Sequence, residues 1–140
     1  MRRLFLLVLV VFLARPLAGE PRAFDVSMVQ LIANPEKYDG KLITVIGFME
    51  IGDENDLIYS HHEDDEHGIL ANAIWFEITP MIKEKSEILS GNYVLLTGRF
   101  TAKRVNYDPV AVGGIKEISR AERWSELKHP RRTLGRPRSQ

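Results

Sequence analysis

The sequence predicts a mostly β domain, a five-stranded Greek-key barrel with one helix ahead of the first strand and another between the third and fourth. Three observations carry that expectation. Two apolar runs, 42–49 and 93–100, are strand-like and hold a glycine in their interior, Gly47 and Gly98, as strands that coil around a small barrel do. The order of elements reads strand, strand, strand, helix, strand, strand. The 140-residue chain has no cysteine, so a hydrophobic core rather than disulfides must hold the domain.

Taken in order, Arg2 and Arg3 precede the uninterrupted apolar run Leu4–Ala14, and Pro16, Leu17, Ala18 and Gly19 follow. A positive start, a short apolar stretch and small residues at the end form the layout of a secretory signal peptide, expected over residues 1–19. At about 1.5 Å per residue that run covers roughly half of a bilayer's apolar core, too little for a stable span. No cysteine follows Gly19 to carry a lipid. The protein is therefore expected to be exported, periplasmic or secreted, with the folded domain over residues 20–127.

A short helix is expected within Asp25–Ala33, capped by Asp25 or Ser27 and ended by Asn34-Pro35, since proline disfavours helix in the residue before it. Gly40 suits a turn with positive φ. Lys41–Glu50 is the first strand: Leu42, Thr44, Ile46 and Phe48 fall on one side and Ile43, Val45 and Gly47 on the other. Apolar residues on both sides fit a strand covered on both faces for part of its length. Leu57–Tyr59 and Ala73–Ile78 give the second and third strands, joined by a polar loop, and 81–90 an amphipathic helix stopped by Gly91. Tyr93–Phe100 and Val110–Ile118 complete the strands, and Ser119–Leu127 is expected to close the domain as a helix.

This is the connectivity of an OB-fold; another small barrel or an open α+β sheet is the rival arrangement. Leu31, Asn34-Pro35, Tyr38, Gly40-Lys41, Ile43, Val45 and Gly47-Phe48, answered by Gly91, Tyr93-Val94 and Gly98-Arg99-Phe100, resemble the pattern of small exported bacterial OB-fold-like proteins of uncharacterised function. The resemblance spans about residues 27–118. Its motifs are scaffold residues, so it implies a fold and a compartment and carries no site.

Charge narrows the partners. Residues 20–127 hold 11 basic and 19 acidic side chains, a net −8, whereas 128–140 hold five basic residues and no acid. An acidic body repels phosphate backbones, so nucleic acid is not an expected partner. The alternative is that Lys41, Lys103, Arg104 and Lys116 gather around Tyr107 into a local positive groove. The tail has too few apolar residues to order itself and is the only expected route to an anionic membrane surface.

The run His61-His62-Glu63-Asp64-Asp65-Glu66-His67 concentrates groups that ligate metals, with His61, His62, Asp64 and His67 the candidate ligands. It lacks both the His-Glu-x-x-His spacing and the EF-hand pattern, and a solvated loop between strands two and three is expected. Nothing marks a nucleophile elbow or a phosphate-cradling loop. The chain is accordingly expected to be non-enzymatic and without a cofactor. Trp75, Phe76 and Tyr107 are the candidate ligand-binding aromatics, and one of the adjacent pair Trp75 and Phe76 must face outward. The leading expectation is an exported module binding a protein, a glycan or a small ligand. A metal-binding protein using residues 61–67 and an uncharacterised hydrolase are the alternatives.

Overall fold

The computed structural model describes residues 22–52, 56–103 and 111–124. The expected signal peptide, the basic tail, Arg104 and Tyr107 lie outside the described residues.

The N-terminal segment forms a two-residue strand β1 (Phe24–Asp25), helix α1 (Met28–Ala33) and a helical turn α2 (Pro35–Tyr38). Ser27 caps α1 in a capping box: its Oγ accepts the Gln30 N–H at 3.2 Å, and the Gln30 side chain accepts the Ser27 N–H, which satisfies two orphan donors of the first turn. Asn34 ends α1 as expected. Pro35 then starts α2, because its fixed φ and missing N–H suit the first helical position. Gly40 turns the chain with φ +74°.

The remaining strands are β2 (Leu42–Ile51), β3 (Asp56–Tyr59), β4 (Ala73–Phe76), β5 (Asn92–Thr101) and β6 (Gly114–Arg123). Their order around the sheet is β2-β3-β4-β6-β5, and β5 pairs back onto β2. Every pairing is antiparallel except β4 with β6, which is parallel. The result is a closed five-stranded OB-fold-like barrel. β1 adds in parallel beside β2, pairing Phe24 with Ile43, an addition too short to read from sequence.

Three expectations need correction. Residues 119–123 do not begin a closing helix; β6 runs straight through them to Arg123. Ile118 and Ala121 are buried, and Ala121 pairs with Leu96, so pairing with β5 outweighs the helical signal of Ser119. Residues 61–67 are not an irregular loop. They form helix α3 (His62–Glu66), followed by a 3-10 turn at Leu70–Asn72. Acids in a first turn favour the helix dipole, and Gly68 at φ +63° ends the turn. The helix expected over 81–90 is two short pieces, α4 (Pro80–Glu84), capped by Thr79, and α5 (Ser86–Leu89).

The barrel interior is filled by Ile43, Val45 and Met49 of β2, Ile58, Ile74, Val94, Leu96, Phe100 and Ile115, closed by Leu31, Ile82 and Leu89 from the helices. A second cluster lies on the other side of the sheet, where Phe48, Leu57, Tyr59 and Ala73 pack with Leu70 and Trp75. The two clusters explain why β2 is apolar on both sides. Opposite Gly98 the register passes from Thr97–Arg120 to Arg99–Lys116, so β6 spends residues 117–119 against a single residue of β5. This bulge sharpens the bend of the barrel wall. Glu117 takes φ +48° within it, and a Cβ on Gly98 would lie 2.7 Å from the Lys116 carbonyl oxygen.

Candidate functional site

The outward side chains of β2 and β5 meet in register: Thr44 with Thr97, Ile46 with Leu95, Phe48 with Tyr93. The first pair is joined through its hydroxyls at 2.9 Å. At the far end the sheet is covered, because α3 lies over it. The His62 ring packs on Phe48 with centroids 4.6 Å apart, Tyr93 meets Phe48 edge-on at 5.6 Å, and the Tyr93 hydroxyl accepts the His62 N–H at 3.2 Å.

Between these ends the strand face is open and forms a cleft of about 610 Å³. Thr44, Ile46 and Leu95 contribute the strand face. The chain from Asp25 to Val29 lines it as α1 begins, Ser60 and His61 line it as β3 ends, and Trp124 lines it where β6 ends. Ile46 and Val29 are exposed apolar residues. Apolar surface dominates the cleft, with a few polar groups among it, which is the usual composition of a small-molecule site.

The residues singled out by sequence are distributed differently. Phe76 turns inward and is part of the barrel core. Trp75 turns outward, half-buried, with its ring where a side chain on Gly114 would stand and the Lys116 ammonium 5.3 Å from the ring centroid. Its indole N–H is buried and has no hydrogen-bond partner among the described residues. Neither aromatic lines the large cleft.

The histidines of α3 point to separate partners. His61 Nδ1 is 3.5 Å from Asp64 Oδ2, His62 Nε2 is 3.8 Å from Glu66, and His67 Nδ1 is 2.9 Å from the Glu63 carbonyl oxygen. Asp64 is buried; it accepts the His61 N–H at 3.1 Å and the Asn72 amide at 2.7 Å. Among the described residues no group of three or more such side chains is placed to hold a metal ion.

Among the described residues Ser60, His61 and Asp64 lie together as a serine, histidine and aspartate grouping. The Ser60 hydroxyl, however, donates to the Asn72 carbonyl at 3.2 Å. Nucleophilic catalysis needs that hydroxyl on the imidazole. Among the described residues the pKa shifts lie elsewhere: burial raises the Asp56 carboxyl above its ordinary value, and the hydrogen bond to the Glu122 carboxylate raises the Arg120 guanidinium.

Sequence reasoning missed the cleft residues Asp25, Ile46, Leu95 and Trp124 as a site. The alternation of Thr44, Ile46 and Phe48 signalled an outward apolar stripe. That α3 covers one end of it and not the other is a tertiary fact. Comparison of the chain with protein-family models, curated proteins and solved structures gives no match.

Proposed function

We propose that this is an exported, non-enzymatic binding module of the cell envelope, similar in kind to the small exported OB-fold-like proteins its scaffold residues resemble, and that its ligand is a small molecule held in the cleft between β2, β5 and Trp124. The cleft itself carries this reading. Its volume of about 610 Å³ lies within the range of about 300–1,000 Å³ that ligand sites occupy. Its strand face belongs to two paired ten-residue strands of the barrel wall, so it is preformed rather than assembled on binding. The segment before Glu20 supports export through its two arginines and its short apolar run. Among the described residues no helix is long and apolar enough to cross a membrane.

Two measurements test the proposal. N-terminal sequencing of the protein recovered from the envelope fraction should begin within a few residues of Glu20; retention of Met1 on a membrane-embedded form would overturn the export reading. A thermal-shift screen of the mature protein against small apolar and amphiphilic molecules should give hits that Leu95→Arg, which blocks the cleft, abolishes. A ligand present at about a hundred times its Kd adds about 2.7 kcal/mol to the folded state. Hits that survive Leu95→Arg would place binding elsewhere.

A further inference from the structure

The polar groups of the cleft narrow what it takes, granted that the cleft is the binding site. Its hydroxyls are already engaged within the chain: Thr44 with Thr97, Ser60 with the Asn72 carbonyl, Ser27 with Gln30. A sugar needs many free donors and acceptors and meets few here. Among the described residues one full charge lines the cleft, the Asp25 carboxylate, and no lysine or arginine does. Asp25 is exposed and makes no ion pair with a described residue. His61, the other titratable group lining the cleft, faces Asp64, and Glu63 and Asp65 follow it on α3. Trp124 adds a large apolar residue to the lining, suited to a hydrocarbon body.

We propose that the cleft binds an organic cation with an apolar body, an amine or quaternary ammonium on a hydrocarbon frame, with Asp25 as counter-ion. The hydrocarbon part lies against Ile46, Leu95 and Trp124, and the cationic head sits at the Asp25 end. An anionic amphiphile of the same length meets the Asp25 carboxylate there and is rejected. Because Asp25 is exposed, its attraction is screened by salt and contributes discrimination more than affinity. The apolar contact supplies most of the binding.

The test uses the mature protein carrying Trp75→Phe, so that Trp124 alone reports, titrated below the micellar range with decyltrimethylammonium, decanol and decyl sulfate. Decyltrimethylammonium is expected to bind saturably and at least tenfold more tightly than decyl sulfate. Asp25→Asn should weaken the ammonium about three- to tenfold, as an exposed ion pair allows, and leave decanol unchanged. An unaltered melting curve for Asp25→Asn keeps the comparison about binding, since this side chain makes no ion pair with a described residue. Equal affinities across the three probes, or no effect of Asp25→Asn, would overturn the cation inference while leaving the cleft as an apolar site. Binding of none of the three would overturn both readings.

Discussion

The carboxylate of Asp64 and the amide of Asn72 meet at 2.7 Å beneath helix α3, tying the helix to the turn that leads into β4. The other Asp64 oxygen accepts the His61 N–H, so one buried side chain both starts α3 and anchors it. Removing it leaves the Asn72 amide and a backbone donor unsatisfied, a cost of about 1–3 kcal/mol for such groups. Asp64→Ala should therefore lower the unfolding free energy by that amount in urea titrations. Asp65→Ala, at a less buried neighbour, should stay within about 0.5 kcal/mol.

The same geometry predicts weak metal binding. With Asp64 committed to the scaffold and the histidines turned to separate partners, a zinc ion would have to break existing bonds to gather ligands. Calorimetric titration with zinc at pH 7.5 should show no site of micromolar affinity or better. Micromolar binding that disappears at pH 5.5 and in His61→Ala/His62→Ala/His67→Ala would show that α3 and its caps rearrange around metal.

The barrel was legible in the sequence because its decisive signals are local. Alternation along Leu42–Phe48, the interior glycines and Gly91 at φ +69° after the helical turns each state a backbone requirement. The site was not legible in the same way. Asp64 looks like one acid among four; only the approach of Asn72, eight residues on, makes it a buried cap. Residues Asp25, Ile46 and Trp124 are remote in sequence and share a cleft because β1 adds beside β2 and β6 extends past the point where a helix was expected. Trp75 and Phe76 fall between these cases: alternation requires that one face outward, and burial decides that it is Trp75.

Gly98 gives a direct test of the barrel wall. A Cβ there would stand 2.5 Å from the Ile115 Cγ2 and 2.7 Å from the Lys116 carbonyl oxygen. The side chain can rotate, but the strand backbone across the bulge cannot yield cheaply. Gly98→Val should destabilise by roughly 1–3 kcal/mol, read as a lower denaturation midpoint with an unchanged slope. An unaltered midpoint would mean that β5 and β6 separate at this point at little cost.

Asp56 opens β3 opposite Ile51, and partial burial raises its pKa above the ordinary aspartate value. Above that raised value the carboxylate is charged in the folded and unfolded chains alike, and the folded state bears the desolvation cost. Below the unfolded value both forms are neutral and the cost is gone. Asp56 thus weakens the fold at neutral pH and ceases to do so in acid. Asp56→Asn should raise the melting temperature slightly at pH 7, and the difference should close below about pH 4. A gain that persists at low pH would have another origin.

The last prediction concerns nucleic acid, which many OB-like barrels grip with a cationic groove and stacking aromatics. Lys103 and Lys116 do come together, lining with Arg99 a pocket of about 330 Å³, but Asp39 and Glu117 line it too. Arg99 is held by Glu117 at 3.0 Å and by the Gly40 carbonyl at 2.7 Å. Lys41 lies over the rings of Phe24 and Tyr38, and does not line that pocket. Among its described residues the pocket is therefore a nearly balanced patch, on a body of net charge −8 over residues 20–127, where phosphate contacts gain little. Single-stranded oligonucleotides should bind weakly at physiological salt in fluorescence anisotropy, without sequence preference and with a steep salt dependence. Deleting residues 128–140, with their five basic side chains, should abolish that binding. Sub-micromolar affinity that survives the deletion and falls in Lys103→Ala/Lys116→Ala would show that this small patch, rather than the net charge, governs what the barrel attracts.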